Sequence, residues 1–244
     1  MVKAVVGTLL AMTAFGQSAT NSPAFEVASI KPNRSGLNGS SLGRSGSRLT
    51  FDNVSLRECI AFAYGIAAGR DYELIGPAWL DSEKFDIAAT FPPETSRERI
   101  REMVQTLLAA RFHLTTHRES KKLKAYALVV AKKGPTLKVA SSGEDAFIFG
   151  DGRVTARALS MSAFADRLSG PLFKLEQPVV DLTGIKGVYD FTLEWSPDGV
   201  SVVGHSDASI FTALQEQLGL KLEVRQITAA ILVIDYADRV PTGN

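Results

Sequence analysis

Histidine occurs three times in this chain, and two of the three, His113 and His117, lie with Glu119 in the run "HLTTHRE". Two imidazoles and a carboxylate form a ligand set that zinc accepts. Alternate residues of a strand share a face, so positions 113, 117 and 119 point the same way if the run is extended. The spacing opposes a shared ion, because four residues of strand cover about 13 Å. The H-E-x-x-H order that gathers two histidines on one helical turn is absent. His205 precedes Ser206 and Asp207, the residue types of a hydrolytic triad. A relay needs those groups to approach from separate segments beside a prepared oxyanion site, and no G-x-S-x-G elbow is present. Ser206 and Asp207 read instead as the cap of the helix that follows.

Asp181, Asp190, Glu194 and Asp235 could supply the two carboxylates of glycoside hydrolysis, but Asp190 and Glu194 take outward positions on a strand and are expected in solvent. Trp79 and Trp195 could stack on sugar rings; Trp195 continues the alternation of Tyr189, Phe191 and Leu193 toward a core. Gly184 and Gly187 in "TGIKG" make a tight turn without the strand-to-helix setting of a phosphate loop. The basic run "HRESKKLK" (His117 to Lys124) is expected as a turn between two strands, able to steer an acidic partner at low ionic strength. No catalytic residue, metal or cofactor is assigned.

Elements must position these groups, and the pattern supplies them in order. "RLTFDNV" has strand character, and Ser55 with Glu58 forms a capping box for a helix over 56–64. "YELIG" and "KFDIAAT" read as strands. Thr95 and Glu98 repeat the capping logic for a helix whose apolar face is Ile100, Met103, Val104, Leu107 and Leu108. Phe112 and Leu114 then alternate with His113 and Thr115 as a strand, and "KAYALVVAK" is another. After a possible hairpin in "SSGEDAFIFGDG" the order starts again. "RVTARAL" is a strand, Ser160 caps a short helix, "QPVVDLTG" and "VYDFTLEW" are strands, a helix follows from Ile210, and "LKLEVRQ" and "AAILVIDYA" form a pair. Four segments thus recur in one order, which signals an internal repeat. The fold class is α+β: two tandem βαββαβ-like modules, each a small sheet covered on one face by two helices.

The remaining features set the boundaries. The first residues, "MVKAVVGTLLAMTAFG", join Lys3 to an apolar run and small residues, the layout of a secretory signal over 1–16. No second long apolar segment follows, so the mature chain is expected to have no membrane span. The first module covers 17–135 and includes a Gly/Ser-rich loop at 32–47; a linker or hairpin covers 136–152 and the second module 153–244. Cys59 is the only cysteine, so no disulfide can form within the chain, and its apolar neighbours suit a small buried hydrophobe. A formal net charge of +1 gives no case for nucleic acid.

The motifs "GPAWL", "FDI", "LLAARFHLTTHRE", "YALVVAKKGP", "VVDLTGIKGVYDFTLEWSP", "ALQEQLGLKLE" and "LVID" resemble those of a large family of uncharacterised exported proteins of soil bacteria, a domain of unknown function. Each half is also similar to the short N-terminal modules of secretins and TonB-dependent receptors, on the strength of "VSLRECIAFAY" and "LLAARFHL". That resemblance implies docking of protein partners in the periplasm.

The expectation is an exported, non-enzymatic binding or scaffold protein of the envelope, periplasmic or extracellular, with a protein partner. Its contact candidates are Pro77 and Trp79 in "GPAWL", Thr183 and Lys186 in "TGIKG", and His117 with Glu119. The alternative is a secreted hydrolase using a His/acid or metal site among His113, His117, Glu119 and His205.

Overall fold

The computed structural model describes residues 22–36, 39–140, 143–150, 152–196 and 208–243. Residues 1–16, expected as a leader, and the group His205, Ser206 and Asp207 lie outside them. The first half of the chain forms β1 (Val27–Pro32), β2 (Ser41–Ser45), β3 (Arg48–Ser55), α1 (Leu56–Tyr64), β4 (Leu74–Ile75), β5 (Lys84–Thr90), α2 (Arg97–Phe112) and β6 (Thr115–Val130). The second half writes the series again as β7 (Lys138–Val139), β8 (Ala146–Gly150), β9 (Arg153–Leu159), α3 (Met161–Leu168), β10 (Val179–Asp181), β11 (Tyr189–Glu194), α4 (Ile210–Gln217) and β12 (Leu220–Tyr236). The protein is a mixed α+β fold with four helices and three small sheets among the described residues.

The repeat reaches down to local chemistry. The Ser55 hydroxyl caps α1 by accepting the Glu58 amide at 3.1 Å, while the Glu58 carboxylate accepts the Ser55 amide at 2.6 Å. Ser160 caps α3 in the same way, accepting from Ala163 at 3.2 Å. It also reaches up to topology. One sheet runs β1-β5-β3-β2 and another β7-β11-β9-β8, each strand of the second standing where its equivalent stands in the first.

The third sheet, β10-β6-β12-β4, belongs to both copies. β6 and β12 are antiparallel along their whole lengths, from Leu220 opposite Val130 to Tyr236 opposite Thr115. The short strands then pair crosswise: β4 of the first copy lies parallel to β12, with Leu74 opposite Leu232, and β10 of the second lies parallel to β6, with Val179 opposite Tyr126. Each long strand starts in the core of its own copy and finishes in the other. Hence Leu232 and Ile234 join Leu56, Ile60, Phe85 and Phe112 in the first core, and Leu128 joins Phe164, Leu193 and Leu214 in the second. The chain leaving each long strand also covers the helix end of the opposite copy. After β12, the Asp238 amide donates to the Phe112 carbonyl at 2.7 Å; after β6, the Thr136 amide donates to the Leu218 carbonyl at 2.9 Å. These contacts satisfy carbonyls that a helix end leaves without partners.

Several elements differ from their sequence reading. The cap of α2 is Ser96, accepting from the Arg99 amide at 3.1 Å, because the Thr95 hydroxyl instead donates to the Pro92 carbonyl at 2.6 Å. Phe112 is helical and His113 is a left-handed cap with φ 48°, so the apparent alternation around it is a helix end. "YELIG" begins in a helical turn, Asp71–Glu73, and only Leu74 and Ile75 are extended. The turn expected in "HRESKKLK" does not exist. That run contains no Gly, Pro, Asn or Asp, and β12 offers it an unbroken ladder, so it stays extended through β6. "LKLEVRQ" and "AAILVIDYA" likewise fuse into one strand. Among the described residues, no helix is long and apolar enough to cross a membrane.

Candidate functional site

His113 and His117 do not converge. His113, turned by its left-handed backbone, places Nδ1 2.6 Å from Asp238 Oδ2, and the Tyr236 hydroxyl donates to Asp238 Oδ1 at 2.6 Å. The Tyr236 hydroxyl first, and His113 second, hold the Asp238 carboxyl below its ordinary range, and the Tyr236 phenol is pushed up in return. His117 makes a separate pair, Nδ1 lying 2.7 Å from Asp235 Oδ1. Glu119 is exposed two residues along β6. Among the described residues, no group of three or more His, Cys, Asp or Glu could hold a metal ion. The zinc set weighed from the sequence is therefore dispersed: each histidine pairs with an aspartate outside the set, and Glu119 joins neither pair.

The four acids weighed for glycoside chemistry are engaged apart from one another. Asp190, expected in solvent, is half-buried and accepts the Ala158 amide at 2.9 Å. Glu194 lies 3.4 Å from Arg153 Nε. Asp181 accepts both the amide and the hydroxyl of Thr183, at 2.9 and 2.7 Å, and Asp235 holds His117. Sequence reasoning missed Asp86, which accepts the Asn33 side-chain amide at 2.7 Å and the Asn53 backbone amide at 2.9 Å. Its signal was present as an acid in mid-strand, written in both "KFDIAAT" and "VYDFTLE".

The loop candidates fall at equivalent places, after β4 and after β10, beside the two opposite outer strands of the shared sheet. Pro77 is exposed and Trp79 half-buried against the first core, with the Arg239 guanidinium carbon 5.4 Å from the Trp79 ring centroid. That contact lets one aromatic ring seal the core and hold a cation at once. Thr183 also accepts the Ile185 amide at 3.1 Å, and the Lys186 carbonyl accepts the Tyr189 hydroxyl at 2.8 Å. The Lys186 side chain is exposed.

A cleft of about 580 Å³ runs beside α1, with Phe62 and Ile66 on its apolar side and Arg57, Glu58, Asp81 and Lys84 around it. Those four charges are matched in pairs. Arg57 Nε lies 2.8 Å from Asp81, and Lys84 Nζ 3.4 Å from Glu58. Burial pushes the Glu58 carboxyl up, but hydrogen bonds from Ser40 and Ser55 and the nearby Lys84 outweigh it and leave the group lowered.

The more open feature is the ribbon between the two cores. Every residue from His117 to Lys122 is exposed, so neither face of β6 is covered there, and Val224, Arg225, Gln226 and Thr228 are exposed on β12. Arg118, Lys122 and Lys124 share one face; His117, Glu119 and Lys121 share the other. Among the described residues the second edge of Thr115–Ala125 pairs with nothing, because β10 reaches only Tyr126–Leu128.

Two copies of one α+β unit, sharing a sheet and lacking a converged reactive cluster among the described residues, define the class. The chain belongs to the family described as "Protein of unknown function (DUF3738)", whose model matches residues 57–237. The matched span starts in α1 and ends just past β12, so it contains both long strands. No curated protein and no solved structure matches the chain.

Proposed function

We propose that this is an exported, non-enzymatic protein-binding or scaffold protein of the cell envelope. The observation that supports this reading is its open sheet edges. β1, β2, β7 and β8 are outer strands, and Val27, Leu42, Val139, Ile148 and Phe149 on them are exposed. Open edges accept a further strand, with main-chain hydrogen bonds giving affinity and side chains giving selectivity. The leader at 1–16 supports export to the periplasm or beyond. The likeness of each half to secretin and TonB-receptor modules supports docking. Capture from envelope extract by the wild type and by a Leu42→Lys/Ile148→Lys variant tests it. A defined partner retained only by the wild type is expected; identical capture by both, or none by either, refutes docking through these edges.

A hydrolase working through a His/acid or metal site is the second reading, favoured by the His117–Asp235 and His113–Asp238 pairs. Zinc analysis together with ester and glycoside test substrates decides it.

A further inference from the structure

We infer that the free edge of β6 between the two cores receives an extended acidic segment of a partner protein, which adds as a strand and sets its carboxylates against Arg118, Lys121, Lys122 and Lys124. This names a partner class within the docking reading and rests on it.

Three observations carry the inference. First, the edge is available: Thr115–Ala125 has β12 on one side and, among the described residues, no strand on the other, and its middle is exposed on both faces. Second, the charge is unmatched. Four cations and one acid, Glu119, occupy 118–124, and none of the four cations takes part in an ion pair among the described residues, whereas Arg225 and Lys221 on the neighbouring strand both engage Glu223 at 2.6 Å. Third, the fold does not require those cations. Leu114 and Leu220 each follow a left-handed residue, His113 and Gly219, at the start of their long strands. Counting from them, 118–124 corresponds to 224–230, and there the second copy carries Arg225 as its one charge.

Lysine on an exposed edge also discourages unwanted strand pairing. Edge protection alone would load both long strands, since β12 has an equally open second edge before Leu232 among the described residues. The loading of β6 alone requires another cause. A flat anionic membrane could meet one face of the ribbon at a time, but the cations lie on both faces. An added strand alternates its side chains in the same way as β6, so neighbouring acidic residues meet cations above and below. The partner chemistry is a short extended run of Asp or Glu among β-forming residues.

The test is fluorescence anisotropy of the purified protein with a labelled peptide repeating Glu-Glu-Val, which in strand form carries Glu on both faces. Its controls are the Lys-for-Glu peptide, the Glu peptide with alternate backbone nitrogens methylated, and phosphatidylglycerol vesicles. The Glu peptide is expected to bind, to weaken at high salt, and to weaken by about tenfold or more in Lys121→Gln/Lys122→Gln/Lys124→Gln. Methylation on one backbone edge of the peptide is expected to abolish binding, and a thermal melt checks that the exposed substitutions leave the fold intact. Equal binding of the Lys peptide, unchanged binding by the triple variant, indifference to methylation, or binding to vesicles alone overturns the inference. If the triple variant still captures the partner that Leu42→Lys/Ile148→Lys loses, docking stands and the acidic segment falls.

Discussion

The carboxylate of Asp190 holds the backbone amide of Ala158 at 2.9 Å, as Asp86 holds that of Asn53 at 2.9 Å in the other copy. Both amides belong to left-handed residues, φ 47° at Ala158 and 54° at Asn53. The conformation costs a residue with a Cβ about 1–2 kcal/mol, with Asn tolerating it better than Ala. Ala158→Gly is therefore expected to raise stability by about 0.5–1 kcal/mol in urea denaturation, the added freedom of the unfolded chain offsetting part of the relief. A loss instead would show that the buried Ala158 methyl contributes more through packing than its backbone costs.

Asp86 gives the first copy a dependence on acid. The Asn33 side chain, then the Asn53 amide, hold its carboxyl below the ordinary range. A group lowered by folding stabilises fully above its unfolded pKa, and that contribution disappears as pH falls through the folded value. Asp86→Asn should therefore be less stable than wild type at neutral pH, with the difference closing below the ordinary carboxylate range. Denaturation midpoints across that range measure it, and a constant gap would mean that the hydrogen bonds do not depend on the charge.

Exchange of the long strands has a spatial signature. Leu232 and Leu128 are both buried, 1% and 0% exposed, and truncating such a leucine to alanine costs about 2–5 kcal/mol. Leu232→Ala should speed amide exchange first in α1 and α2, in the opposite half of the sequence. Leu128→Ala should do so first in α3 and α4. Each substitution loosening its own half instead would contradict the exchanged cores.

Gly69 marks where the copies touch. Its φ is 89°, and a Cβ there would lie 1.9 Å from the Asp166 carbonyl oxygen, whereas Gly46, at φ 54°, has nothing within 4 Å of the same position. Gly46→Ala meets the backbone cost alone, roughly 1 kcal/mol. Gly69→Ala must also displace main chain of the second copy and should lose on the order of 2–4 kcal/mol. Paired thermal melts compare them.

Cys59 should be silent. It is buried in α1 against the first core, and burial, then the nearby Glu58 charge, push its thiol far up. Since the thiolate is the reactive form, modification by a thiol reagent should proceed at the rate of unfolding. Fast labelling of the native protein would show an opening at α1.

The duplication was legible because periodicity and capping are local. Ser55 and Ser160 announce their helices in nearby residues, and "KFDIAAT" and "VYDFTLEW" announce their faces by alternation. The shared sheet was not legible, because alternation sets which face a residue takes and says nothing about its partner; Leu232 gives no hint that Leu74 lies beside it. His113 misled for a related reason. A histidine is an uncommon left-handed cap, and only its equivalence to Gly219 could have shown that the chain turns there, where the ring meets Asp238. The basic run was visible as charge, yet its extended form depends on β12, far along the chain.

One consequence of the crossed strands concerns timing. Translation releases β5, α1 and α2 well before Leu232 and Ile234, so the apolar surface those early elements present has no lid while the ribosome is still at work. Neither copy can lock shut early. A polypeptide kept open in this way completes its hydrophobic interior only when the last long strand arrives.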